Sequence, residues 1–293
     1  MFEGHKEENM KKLSILVLSI LVLVLAASLL VSCTDEETTG LKVVASTSQI
    51  TQIVERIGGD KVNVANIIPP GQCPGHFDVK PGDIQHLVGA DLFLLHGWQG
   101  EVFTDDLIAS ADNDELTVVK LNVKVGESMN WMAPPVQSAA VDRITEGLSQ
   151  ADIANAAEYQ AAAMEYKEII TNKEAEIREK LAVIDPANVN VICGQQQIGF
   201  LKWAGFNVVG FYGETDTWTP QTVQDLVDLG RSENVVLVID NMQSGIDAGA
   251  GIAEDINALQ VTLSNFPGGY ENTDTWEDTI DYNVNLLIEA LSE

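Results

Sequence analysis

The chain has 293 residues, room for one large domain or two modest ones. Apolar residues make up 45% of it and charged ones only 20%, which excludes a disordered chain. Asp and Glu number 44 against 16 Lys and Arg, a net charge of −28, and residues 1–33 carry three charges of each sign, so the whole excess lies beyond them. Such a surface repels phosphates, so nucleic acid and anionic lipid are excluded as partners; it fits a protein facing salty water or one that gathers cations.

Residues 13–31 form an uncharged run of 19 residues directly after Lys11 and Lys12. Length alone allows a membrane span. The end of the run reads otherwise, because Leu30, Val31 and Ser32 lead into Cys33 and a polar stretch over 34–40 follows. This resembles a lipoprotein signal peptide opening at Met10, with Cys33 as the first mature residue and the site of lipidation. An uncleaved signal anchor is the other reading. Both place residues 41–293 outside the cytoplasm; lipid on Cys33 holds them at the outer face of the cell membrane, behind a linker over 34–40. Cys73 and Cys193 remain, and the location permits a disulfide between them without demanding one.

The mature chain alternates strands and helices. A strand is predicted over 41–47 and a helix over 49–57, where Ile50, Ile53, Val54 and Ile57 recur at i, i+3, i+4 and i+7. A second strand over 62–68 stops at Pro69-Pro70-Gly71, a helix follows over 83–89, and a third strand over 90–95 ends at His96-Gly97. Together these form an N-terminal lobe over 41–150. Residues 152–183, rich in Ala, Glu and Lys, predict one long helix closed by Asp185-Pro186, the core of a bridging segment over 151–186. A C-terminal lobe over 187–293 repeats the rhythm, with strands over 189–193, 208–211, 235–240 and 260–264 and helices over 198–204, 220–231, 248–259 and 275–291. The fold class is α/β: two similar lobes with parallel sheets, bridged by one long rigid helix, with a ligand cleft between them. Ligands of open α/β sheets sit at the carboxyl ends of the strands, which nominates 46–48, 71–76, 96–99, 194–197, 212–216, 240–243 and 265–269. Cys73, His96, Trp98, Cys193, Tyr212, Glu214 and Asp240 are the cleft candidates that follow.

Ile57-Gly58-Gly59-Asp60, Pro69-Pro70-Gly71, His76, Asp83-Ile84, Leu87, Ala90-Asp91-Leu92, Gly97 and Glu101 form a frame that resembles the zinc- and manganese-binding (cluster A-I) solute receptors of ABC importers. The long central helix, the C-terminal lobe and the lipoprotein start extend the resemblance over nearly the whole mature chain. It implies a receptor with little hinge motion, a zinc or manganese ion as ligand, permease and ATPase subunits as partners, and a monomer. The family holds its metal with four residues, two from each lobe. His76 matches the first; Met129 and Gln195 stand where two further His are expected, and Asn265 stands where an acid is expected.

That set is one good zinc ligand and three weak neutral ones, with no charge to balance a dication. Cys73, Cys193, His76 and Met129 would make a softer, sulfur-rich site suited to Cu(I); a disulfide or two buried apolar cysteines are the competing readings. Trp98, Trp131 and Trp218 with the amides Gln99, Gln195 to Gln197, Asn241 and Gln243 would suit a chelated metal or a small organic solute. An adhesion lipoprotein on the same fold is a further alternative. No Gly-x-Ser-x-Gly, P-loop, His-Glu-x-x-His or dinucleotide fingerprint occurs, so an enzyme is not expected.

Overall fold

The computed structural model describes residues 40–98 and 101–292. The expected signal peptide, the expected linker to residue 39, Cys33 and Gln99 lie outside the described residues. Among the described residues, no helix is long and apolar enough to cross a membrane.

Strands β1 (Leu41–Thr47), β2 (Val62–Ile68), β3 (Leu92–Leu95) and β4 (Thr117–Lys120) form one sheet in the order β2-β1-β3-β4, every pair parallel. Strands β5 (Asn190–Gly194), β6 (Asn207–Tyr212), β7 (Leu237–Asn241) and β8 (Leu259–Leu263) repeat that order as β6-β5-β7-β8, again all parallel. The chain is thus two α/β lobes of the same topology. Helix α1 (Ser48–Gly58) buries Ile50, Ile53, Val54 and Ile57, the stripe read from the spacing, and stops where Gly59 takes φ 51°. Helices α2 (Pro81–Val88), α3 (Phe103–Ala111) and α4 (Pro134–Ala151) complete the N-terminal lobe.

The long helix differs from its expected limits. Asp152 ends α4, a 3₁₀ turn covers Ile153–Asn155, and helix α5 runs over Ala156–Leu181. The Asp152 carboxylate accepts from the Asn155 backbone N–H at 3.3 Å, from the Asn155 amide at 2.6 Å and from the Tyr159 hydroxyl at 2.8 Å. These local bonds compete with helix continuation and set the start of α5. Its 26 residues span about 39 Å at 1.5 Å per residue. In the C-terminal lobe, α6 (Ile198–Ala204), α7 (Pro220–Ser232), α8 (Ala250–Ile256) and α9 (Trp276–Ser292) follow the strands. Helix α8 ends earlier than expected because Asn257 adopts the left-handed conformation, φ 58°.

One hydrophobic core serves both lobes. It runs from Val43 and Leu94 through Trp131, Tyr166 and Ile170 to Ile239, Trp276 and Leu287, while two smaller cores cover the outer faces of the sheets. Trp276 donates its indole N–H to the Trp131 carbonyl at 2.9 Å, a buried tie between α9 and the N-terminal lobe. Lys173 and Lys180 of α5 each meet Asp281 of α9 at 2.7 Å. These ion pairs are partly exposed and add little; the shared apolar core does most to fix the lobes together.

Candidate functional site

A cavity of about 920 Å³ opens between the lobes at the carboxyl ends of both sheets. Each of the eight segments that follow a strand contributes to its wall. Gln49, Cys73, Trp98 and the stretch around Met129 come from the N-terminal lobe. Gln195, Glu214, Gln243 and Asn265 come from the C-terminal one. Apolar walls are supplied by Trp98, Met129, Ile198, Trp203, Phe211 and Phe266.

The four positions carried by the resemblance are placed unequally. Met129 lines the cavity and is 52% exposed. Gln195 also lines it, and its side chain makes no hydrogen bond with the described residues. His76 is exposed and ends the 3₁₀ turn Pro74–His76; Pro74 and Gly75 line the cavity, whereas His76 itself does not. Asn265 lines the cavity, but its amide is consumed by the protein. Asn130 donates to Asn265 Oδ1 at 2.9 Å and to the Gln196 carbonyl at 2.7 Å, and Asn265 Nδ2 donates to that same carbonyl at 3.3 Å.

Other polar side chains tie the lobes around this point. The Gln49 amide donates to the Asn265 carbonyl, Ser48 Oγ donates to the Pro267 carbonyl at 2.7 Å, and Gln243 Nε2 donates to the Pro70 carbonyl at 2.9 Å. Gln49, Asn130 and the tying role of Gln243 were not visible in the sequence. An amide gives no sign in a sequence of whether it spends itself on the protein or on a ligand.

The soft-metal grouping does not form. Cys193 is wholly buried in the shared core, away from the cavity, while Cys73 is half-buried on the cavity wall; both are free thiols. Burial pushes the Cys193 thiol up to about 12. Burial also raises Cys73, with the Glu214 charge as a smaller contribution. Alkylation of the native protein with iodoacetamide should therefore modify Cys73 and leave Cys193 untouched until denaturant is added. Peptide mapping that finds Cys193 modified as fast as Cys73 contradicts this placement.

Tyr212 and Asp240 also turn away from the cavity. The Asp240 carboxylate is fully buried and accepts from the Tyr212 hydroxyl, from the Gln260 amide and from the Gly249 N–H at 2.7 Å. Burial raises its pKa despite these donors. Asp240 thus organises the outer layer of the C-terminal lobe rather than facing a ligand. Glu214 does line the cavity, where it accepts from Gln196 Nε2 at 2.9 Å.

His96, expected at the cleft, is fully buried beneath the cavity wall. Its ring stacks on Trp98 at 3.6 Å, stands edge-on to Trp131 at 4.4 Å, and places Nε2 2.8 Å from Thr47 Oγ1. Burial holds its pKa well below 6.5. Glu101 accepts from Ser46 Oγ at 2.6 Å and from the backbone N–H groups of His96 and Gly97 at 3.2 and 2.7 Å. It thereby shapes the turn that presents Trp98. Trp203 also lines the cavity, and Trp218, expected there, packs edge-on against Tyr212 outside it.

Among the described residues, no three His, Cys, Asp or Glu side chains cluster so as to hold a metal ion. The arrangement can present amides, one thioether, one half-buried thiol, the acids Glu127 and Glu214, the ammonium of Lys202 and aromatic faces to a solute held between the lobes.

Two α/β lobes closed around a cleft at their strand ends define a two-lobed solute receptor. A family profile described as "Zinc-uptake complex component A periplasmic" matches residues 43–290. The chain belongs to this family, whose members are substrate-binding components of ABC transporters and not enzymes. Among relatives, the manganese-binding lipoprotein MntA of Bacillus subtilis (strain 168) is 29% identical over 277 residues, covering 86% of this chain and 90% of the relative. The metal ABC transporter substrate-binding lipoprotein ScbA of Streptococcus cristatus is 25% identical over 313 residues, covering 97% and 100%. Among solved structures, the binding protein FpvC of P. aeruginosa in complex with Ni²⁺ superposes with a TM-score of 0.74 at 19% identity, covering 86% of this chain and 97% of that one. A Mn-bound periplasmic metal-binding protein from Candidatus Liberibacter asiaticus gives a TM-score of 0.71 at 18% identity, covering 85% and 98%.

Proposed function

We propose that this protein is the extracytoplasmic receptor of an ABC importer for a transition metal, zinc or manganese. It is held at the outer face of the cell membrane by lipid on Cys33 and works as a monomer with permease and ATPase subunits. The observation that carries this reading is the inter-lobe cavity walled by all eight post-strand segments, in a chain whose family match spans 43–290. The relatives named manganese-binding and metal-transporter lipoproteins support the same cargo class and the lipid anchor. Of the positions carried by the resemblance, Met129 and Gln195 offer free side chains to the cargo, with Cys73 and Glu214 beside them.

Deleting the gene should lower cell-associated zinc or manganese under metal limitation, and the intact gene should restore it. Replacing Cys33→Ala should abolish incorporation of labelled acyl chains and release the protein from the membrane. Unchanged metal content in the deletion strain overturns the receptor reading; acyl chains still found on the Cys33→Ala protein overturn the anchor.

A further inference from the structure

Resting on the receptor reading, we infer that the metal enters this cavity already wrapped by small amino-carboxylate ligands, such as amino acids, and not as a bare ion. Three observations point the same way. The first is the donor set. The cavity offers a thioether, amides, a thiol that burial keeps protonated and two carboxylates, of which Glu214 is already bonded to Gln196; it offers no imidazole and, among the described residues, no cluster of three metal-ligating side chains, and Asn265 is spent on Asn130 and Gln196. Stripping water from a bare dication is not repaid by such groups.

The second is a pair of buried, unpartnered polar atoms on residues that line the cavity, which a cargo meets only when the side chains over them shift. Trp131 is 1% exposed and Gln49 2%, and Trp131 Nε1 and Gln49 Oε1 have no partner among the described residues. An indole N–H can only donate, so it repels a cation and seeks an acceptor. The Gln49 oxygen seeks a donor. A metal bound by amino acids shows both, with carboxylate oxygens for Trp131 and for the ammonium of Lys202, which also lines the cavity, and amine N–H groups for Gln49. Two amino-acid anions around a dication also give a neutral complex, which removes the need for charge from the protein. The third observation is size. About 920 Å³ walled by Trp98, Phe211 and Met129 is the space of an organic ligand, far more than an ion held by four side chains requires.

The test is calorimetry on the full lipidated chain in detergent, freed of metal. The probes are zinc chloride, zinc with glycine, zinc with histidine, and each amino acid alone. At least one complex should bind a hundredfold or more tighter than zinc chloride, and the amino acids alone should bind no better than the ion. Trp131→Phe should weaken the complex about tenfold, the loss of one hydrogen bond to a charged acceptor. Trp131 is buried, so Lys202→Met, at an exposed position, gives an independent arm: it should weaken the complex while leaving zinc chloride unchanged or tighter. Zinc chloride binding as tightly as every complex overturns this inference and leaves the receptor reading intact. Amino acids binding as tightly as their complexes overturn it in favour of an organic cargo. Binding of no probe at all overturns the metal-receptor reading itself, and this inference with it.

Discussion

Replacing Met129→His, Gln195→His and Asn265→Asp together should raise the affinity for free Zn²⁺ by about three orders of magnitude, roughly 4 kcal/mol. Zinc sites are built from imidazole, thiolate and carboxylate; the three substitutions supply two imidazoles and the negative charge that the native set lacks. Two of the positions can change at small cost to stability, since Met129 is 52% exposed and the Gln195 side chain is unbonded. Asn265→Asp keeps the acceptor that Asn130 uses at 2.9 Å. It loses the donor and turns an anionic oxygen toward the Gln196 carbonyl, 3.3 Å from the present nitrogen. That repulsion frees the carboxylate to turn to a metal. His76 must then swing inward from the exposed turn beside Gly75 to complete the site. Competition against a chromophoric chelator measures the gain, and His76→Ala in the same background should abolish most of it. A gain below tenfold means that the four positions do not converge in this chain.

The parts of this molecule legible in its sequence are those set by periodicity. The stripe of α1, the buried strands and the long Ala- and Glu-rich helix follow from spacing and composition. Three elements left no such mark. Strand β4 has exposed ends and only half-buried Val118 and Val119 between them, so no apolar run announces it. Helix α4 opens on Pro134 and Pro135, which sit in the first turn, where the missing N–H costs nothing. Helix α3 has no long apolar periodicity, and Asp105 and Asp106 in its first turn favour the helix N-terminus.

The candidate site was legible as a place and not as a set of side chains. The strand-end rule located the cavity. Directions failed where the chain leaves the strand. Cys193 and Gln195 are two residues apart and would share a face of an extended strand. The chain turns into a 3₁₀ helix at Gln195, however, so the alternation ends, and Cys193 enters the core while Gln195 reaches the cavity. Asp240 sits at a strand end too, but the hydrogen bonds of Tyr212, Gln260 and Gly249 hold it in the outer layer. Such bonds join residues far apart in sequence, and no local pattern encodes them.

Below pH 6.5 the protein should lose stability through His96, at up to about 1.4 kcal/mol per pH unit. The imidazole is fully buried between Trp98 and Trp131, with Nε2 bonded to Thr47 and Nδ1 without a partner among the described residues. Burial disfavours the charged ring, so the folded state holds it neutral while the unfolded chain takes up a proton near 6.5. The stability it contributes is complete above that pH and is lost as pH falls through the window down to the depressed folded-state value. Glu101 and Asp240 act with the opposite sign. Burial raises both, so their ionisation costs stability at neutral pH, and that cost is relieved as they protonate in the acid carboxylate range. Relief of the repulsion behind a net charge of −28 adds to this. The expected profile therefore falls below pH 6.5 and flattens where Glu101 and Asp240 begin to protonate. Between pH 7.5 and 5.5 the melting temperature should drop by about 4 °C. His96→Gln should melt lower at pH 7.5, having lost the stack on Trp98, yet show a flatter slope across the same interval. Equal slopes in the two proteins would mean that the ring is not held neutral under the cavity wall. A native protein whose melting point is constant from pH 7.5 to 5.5 would mean the same.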